Sequence, residues 1–433
     1  MADVYPLHGI RYTPEVVGDL AQVVTPPYDV ISPEAQARYY KINPYNSIRL
    51  ELGLDTPEDT TLNTRYTRAA ATLAEWRQTG ALHQDSSPSY YLYQQIFRQD
   101  TQTYTRTSLL ARVRLEPWSA RIVLPHEHTL AKPKDDRLSL LRACSTNFSP
   151  IMSLYNDPQG RMRRILNSYA AQAEVHITDE AGEQHLLHPI VDPAQVALIQ
   201  DFFAERQLYI ADGHHRYETA LNYREEIRAL RKELAHDDAA NFVLMALIDV
   251  DDPGMVVLPT HRLFSNLDQQ VLERLNRTEL SRYFTVQEPS FEPENALKEL
   301  EEAGKQQPSF LLTGEKQSWL LSLNDQGEAR MAQSEHSAAW QTLDVAIAHT
   351  LLVEELLGLN AEDIATGSYV RYTRDPLAAW QVSDTGATQV GLLLNPTRVR
   401  QICDVAEEDD RMPQKSTYFY PKLITGLVLN PLW

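Results

Sequence analysis

The chain has 433 residues, 43% of them hydrophobic and 23% charged, the composition of a globular protein with material for two or three domains. Its 40 Lys and Arg against 59 Asp and Glu leave a net charge of −19, which argues against a protein that coats nucleic acid, because phosphate backbones require clustered cations. Only Cys144 and Cys403 are cysteines, too few for a disulfide scaffold or a zinc ribbon. The N-terminus lacks the basic and apolar regions of a signal peptide, and no apolar run approaches ~20 residues. A cytoplasmic protein that spans no membrane is expected.

In chain order, Pro26-Pro27-Tyr28-Asp29 is a turn stiffened by two prolines, which suits a binding loop and also occurs without one. Ser32 before Pro33 reads as a helix cap with proline at the first helical position. Residues 46–52 are expected as a strand in which Arg49 and Glu51 share a parity, facing a site or water. Leu62, Tyr66, Ala69, Leu73 and Trp76 lie at helical spacing, with Gly80 as the stop. Residues 90–97 and 104–115 flank a polar turn and predict a β-hairpin. Pro125-His126-Glu127-His128 follows. Histidines at i, i+2 are a weak metal signal without the helical His-Glu-x-x-His spacing; a glutamate base held between imidazoles is the more interesting reading.

A helix from about 135 to 143, a strand at 149–155, a helix at 159–171, a strand pair around Ala181-Gly182 and a helix at 193–206 come next. Leu208 to Ala211 then predicts a short buried strand, and Tyr217, Ala220, Leu221, Ile227 and Leu230 predict a helix. Between them stands Asp212-Gly213-His214-His215-Arg216. The first-turn N–H groups of a helix already carry partial positive charge, so two histidines and an arginine there are misplaced unless an anion joins them. A phosphate meets that need, taking hydrogen bonds from the N–H groups and the basic side chains, while Gly213 lets the backbone come close. The alternative is a capped turn, with Asp212 as N-cap and the basic residues solvated. The residues alone leave both open.

Residues 242–249 form a continuous apolar run, expected as a buried central strand. From 266 the pattern is helix (267–281), strand (283–287), helix (293–303) and two strands (309–313 and 318–322). A helix follows whose inner face takes Ala338, Leu343, Ile347, Thr350, Leu351 and Leu357, and strands are expected at 390–394 and 424–429. The acidic run Glu407-Glu408-Asp409-Asp410 reads as a solvated face. Lys415-Ser416-Thr417 has the ammonium and hydroxyls of an anion or substrate clamp. The fold class expected is mixed α/β, with one domain over 1–265 and a second α/β lobe over 266–433.

The segment Asp212-Gly213-His214-x-Arg216 resembles the phosphate-binding turn of the ParB/sulfiredoxin superfamily. His214 stands where sulfiredoxins carry their cysteine, so thiol chemistry is excluded. ParB partition proteins usually carry an acid there and add a basic helix-turn-helix domain. The free-serine kinases of the superfamily are more similar. They share Asp212, Gly213, His214 and Arg216, the upstream Pro125-His126-Glu127, and a late Pro-Lys-Ser/Thr-Thr element. Pro413-Gln414-Lys415-Ser416-Thr417 matches that element with one residue inserted. Along its length the chain also resembles DUF1015, a bacterial family of uncharacterised function, through residues 27–31, 125–127, 211–220 and 412–421.

This resemblance implies a ParB/sulfiredoxin-like core with large insertions in 1–265, and a lobe that brings Lys415, Ser416 and Thr417 to its cleft. It implies a kinase moving a phosphoryl group from ATP or ADP to a hydroxyl of a small metabolite, free L-serine first. In that scheme Gly213, His214, His215 and Arg216 hold the nucleotide phosphates, and Asp212 positions Mg²⁺ through phosphate, or a basic side chain. Glu127 accepts the hydroxyl proton, while His126, Lys415, Ser416, Thr417, Asp29 and Arg49 bind the acceptor. A non-enzymatic nucleotide-binding regulator needs the turn but not Glu127. A nuclease or partition protein needs a basic surface. The kinase scheme expects the three motifs in a single cleft.

Overall fold

The computed structural model describes residues 1–129, 131–315, 317–381 and 388–433, with backbone alone at 131–133 and 365. It is a mixed α/β structure with one large mixed sheet and several smaller ones. Two compact units divide it. Unit 1 comprises residues 1–125, 129–256 and 421–433, and unit 2 comprises 126–128 and 257–420. The sequence reading put the boundary at 265/266. The structure puts it earlier because His261–Phe264 pairs with two later strands.

In unit 1 the large sheet is built from β1 (Val4–Tyr5), β2 (Tyr90–Gln99), β3 (Gln102–Arg114), β4 (Val123–Leu124), β5 (Ile151–Tyr155), β6 (Val175–Thr178), β7 (Gln184–Ile190), β8 (Leu208–Asp212) and β9 (Phe242–Asp249). Their order is β4-β8-β5-β9-β3-β2-β7-β6, with β1 also on β3. The β4–β8 and β5–β9 pairs are parallel, and β8 runs antiparallel to β5. Every residue of β9 is buried, as a strand covered on both faces requires. Helices α1 (Arg65–Gln78), α2 (Ala131–Cys144), α3 (Pro193–Phe203) and α4 (His214–Arg231) belong to the same unit. Phe202 and Phe203 of α3 and Tyr217 and Ala220 of α4 join β-strand residues such as Leu109, Ile151, Ile210 and Leu247 in one core.

Two elements of unit 1 differ from expectation. Residues 46–52 are not a strand; Ile48–Glu51 is a helical turn. Asn46 Oδ1 accepts the Ile48 N–H at 2.9 Å, an Asx turn that starts a helix rather than a ladder. Residues 424–429 are likewise no strand; their ladder pairing is limited to isolated bridges at Thr425 and Leu429. Pairing moves on to Asn430–Pro431, which lies against Thr146–Asn147.

Unit 2 carries a wholly antiparallel sheet of six strands. They are β10 (His261–Phe264), β11 (Phe284–Gln287), β12 (Ser309–Gly314), β13 (Ser318–Leu323), β14 (Val370–Thr373) and β15 (Val390–Leu394), in the order β11-β13-β12-β15-β10-β14. Helix α5 (Pro293–Gly304) packs on it through Ala296 and Leu300; α6 (Asp325–Met331) and α7 (Val399–Glu407) also belong to this unit. The single helix expected over 267–281 is two short ones, Gln269–Arg274 and Arg277–Leu280. The long helix expected after 338 is broken into Ala338–Gln341, Asp344–Ile347 and a π-helix over Ala348–Leu356. Among the described residues no helix is long and apolar enough to cross a membrane.

Candidate functional site

The strand–turn–helix at 208–216 forms as its pattern predicts. Leu208, Tyr209, Ile210 and Ala211 are buried. The register against β5 slips between Ile210 and Asp212, so Ala211 is an extra residue and the strand bends before the turn; such bulges re-aim the side chain that follows them. Gly213 has φ +99°, and it rather than Asp212 occupies the N-cap position of α4. The Asp212 side chain does not cap the helix. Its Oδ2 accepts Arg216 Nη2 at 2.6 Å and its Oδ1 accepts Lys422 Nζ at 2.5 Å.

This cluster is largely removed from solvent, with Asp212, Arg216 and Lys422 side chains 18%, 13% and 11% exposed. Burial by itself raises the pKa of Asp212; Lys422 and Arg216 outweigh it and hold the carboxyl well below its ordinary range. Burial lowers Arg216, and Asp212 followed by Asp29 more than restores it. A Cβ on Gly213 would lie 2.9 Å from Arg216 Nη2. The left-handed φ favours glycine here, and any other side chain would also have to displace the guanidinium folded over it. The approach expected for a ligand at Gly213 is taken by Arg216 itself, which also donates to the Pro150 carbonyl at 2.6 Å. His214 is buried and its charge bears on Asp212, whereas His215 is half-buried.

Around Arg216, unit 1 gathers residues from early in the chain. Asp29 is exposed on the Tyr28–Val30 turn and acts on Arg216 through space. The Tyr28 ring lies 3.9 Å from the Arg137 guanidinium, a cation–π contact. Burial pushes the Tyr28 hydroxyl up to about 12, with Arg216 and Arg137 acting against it. Glu51 is buried, accepting Ser149 Oγ at 3.0 Å and Arg137 Nη1 at 3.3 Å. Arg49 does not share that direction. On a helical turn the two side chains diverge, and Arg49 donates to the Tyr40 carbonyl at 2.8 Å with its guanidinium over the Tyr40 ring.

Two of the sequence motifs meet within unit 2. Met412 N–H donates to the His126 carbonyl at 2.8 Å, and Glu127 forms a parallel bridge with Met412. Glu127 Oε1 accepts the Lys415 N–H at 3.3 Å, and His126 Nε2 lies 3.3 Å from Thr417 Oγ1. Lys415 adopts φ +59° and is exposed. Ser416 departs from the expected clamp: it is buried, and its hydroxyl donates to the Pro413 carbonyl.

Both Asp212 carboxylate oxygens accept from cations of the protein itself, Arg216 and Lys422. Lys422 is the residue sequence reasoning missed. It is 210 positions from Asp212, and the only local hint is a lone lysine ahead of an apolar run. Its place is set by the backbone on either side, where Arg106 donates to the Pro421 carbonyl at 2.6 Å and Gln95 to the Lys422 carbonyl at 3.0 Å.

A family model described as "Protein of unknown function (DUF1015)" matches residues 4–346. No curated protein matches the sequence. Among solved structures, a conserved hypothetical protein from Pyrococcus furiosus is 12% identical with a TM-score of 0.34, covering 73% of this chain and 92% of that one. A free serine kinase in complex with AMP is 12% identical, with a TM-score of 0.35 over 72% and 86%. SbnI with C-terminal truncation from Staphylococcus aureus is 12% identical, with a TM-score of 0.35 over 75% and 87%.

Proposed function

The chain belongs to the DUF1015 family, and from its residues we propose that it is a nucleotide-dependent kinase phosphorylating a hydroxyl of a small metabolite, free L-serine first. The observation that carries this reading is the Asp212 carboxylate holding Arg216 and Lys422 at the start of an 18-residue helix. Two cations on one carboxylate, beside first-turn N–H groups, leave positive potential that a phosphate group completes. The same turn, between a strand and a helix, is the reason to read the core of unit 1 as ParB/sulfiredoxin-like.

Phosphoryl transfer asks a protein chiefly for placement and charge neutralisation. In this proposal Arg216, Lys422 and the N–H groups of His214 and His215 bind ATP or ADP phosphates, and Asp212 keeps the two cations aimed. Any Mg²⁺ accompanying the nucleotide is left to the phosphate oxygens. Glu127 takes the acceptor's proton, with the Lys415 N–H orienting its carboxylate; Lys415 and Thr417 attend the acceptor. A cytoplasmic location and the absence of a nucleic-acid partner are part of the same proposal, the latter from the charge of −19.

The test is incubation with ATP or ADP, Mg²⁺, L-serine and a panel of hydroxylated metabolites, followed by detection of the phosphorylated product. Glu127→Gln is expected to lower turnover roughly 10²–10⁴-fold with nucleotide affinity unchanged, and Lys422→Ala to lower that affinity. Full activity in Glu127→Gln removes the base from the scheme. Tight nucleotide binding without turnover across the panel replaces the kinase by a nucleotide-binding regulator.

A further inference from the structure

Unit 2 holds a cavity of about 480 Å³, bounded by the turn after α5, by α6, by the Asp344–Ile347 turn and by the start of α7. That volume is in the range of small-molecule sites. None of the residues assigned a role above lines it. Its wall carries Lys305, Glu328, Asp344 and Arg398, and these four are not equivalent. Lys305 is held by Glu302 at 2.6 Å, and Glu328 is exposed on α6.

Asp344 is half-buried, and among the described residues its carboxylate accepts no side-chain hydrogen bond; the charge of Arg398 and then its own backbone N–H favour the charged form. Burial pushes this carboxyl up to about 7, and Arg398 acts against that. Arg398 and Asp344 thus feel each other but form no ion pair with one another. Among the described residues the Arg398 guanidinium donates only to the Gly304 carbonyl, at 3.5 Å, leaving most of its five donors without a described acceptor.

We propose that this cavity binds a small zwitterion of amino-acid size, its ammonium group on the Asp344 carboxylate and its carboxylate on the Arg398 guanidinium. Opposite charges that share a cavity without meeting present two poles. A molecule with complementary poles satisfies both, whereas an amine leaves Arg398 unmatched and an acid leaves Asp344 unmatched. Each contact is charge-assisted, and the guanidinium–carboxylate one suits bidentate geometry.

The experiment is thermal unfolding and titration calorimetry of the full chain with the free L-amino acids, alongside decarboxylated amines and N-acetylated acids matched to them. At least one amino acid is expected to raise Tm saturably while its amine and N-acetyl counterparts do not. Asp344→Asn and Arg398→Gln are each expected to weaken that binding tenfold or more and to leave ADP binding unchanged. Arg398 is exposed, so its variant carries the test even where Asp344→Asn fails to fold. A panel in which no amino acid shifts Tm overturns the proposal. So does a shift that survives in both variants, which assigns the amino acid to the acceptor site and leaves the kinase reading standing.

Discussion

Asp212 is the residue on which unit 1 concentrates its electrostatics. Removing its charge in Asp212→Asn takes from Arg216 and Lys422, both largely buried, the carboxylate that binds them together, which is expected to cost about 3–5 kcal/mol. The pH dependence follows from its depressed pKa. An acid whose folded pKa lies below the unfolded value of about 4 contributes stability that is fully present above that pH and disappears as pH falls through the folded value. Tm of the wild-type chain is therefore expected to drop between pH 5 and 3, and that of Asp212→Asn to drop less. Parallel Tm profiles for the two would contradict the anchoring role. Asp212, Gly213 and Arg216 were readable in advance because they are neighbours at a strand–helix junction. The sequence left Asp212 to cap the helix, to position Mg²⁺ or to position a basic side chain; in the structure it holds two basic side chains, and no local pattern exposes the second, Lys422.

At the scale of elements, periodicity succeeded where a long run is buried on a consistent face. β9 lies in the middle of its sheet with both faces covered, and Leu247 in it is 0% exposed. Leu247→Ala is expected to lower stability by about 2–5 kcal/mol through lost burial and the cavity left behind. Leu230 falls on the helical period that predicts α4, but it is 79% exposed. The buried face of that helix ends at Arg224, with Ile227 only partly covered. Leu230→Ala is thus expected to change stability by no more than about 0.5 kcal/mol. Urea unfolding of both variants checks the pair, and equal losses would contradict the assignment of faces. Residues 46–52 failed for the opposite reason: alternation in so short a stretch is compatible with one helical turn, and the Asn46 side chain decided between them.

At the scale of the whole molecule, the chain returns to unit 1 after completing unit 2. Residues 421–433 supply Lys422 to Asp212, pair Asn430–Pro431 with Thr146–Asn147, and donate the Leu432 N–H to the Ser145 carbonyl at 2.9 Å. Leu429 and Leu432 are buried there as well. Truncation after Tyr420 removes all of this at once, from a fold whose net stability is typically about 5–15 kcal/mol. Hydrogen exchange is expected to show lost protection in β9 of unit 1 and retained protection in β12 of unit 2. Undiminished protection of β9 would mean that the tail is dispensable.

The amino-acid order by itself determined the mixed α/β class, the buried β8 and β9, the turn at 212–216 and the motifs worth watching, because each depends on neighbours within a few residues. Tertiary structure alone decided that Asp212 binds two cations instead of capping a helix, that Arg49 and Glu51 part company, and that Ser416 turns inward. It also decided that the last segment closes the first unit. Those outcomes depend on which distant backbone comes within about 3 Å, and hydrophobic periodicity carries no information about that partner.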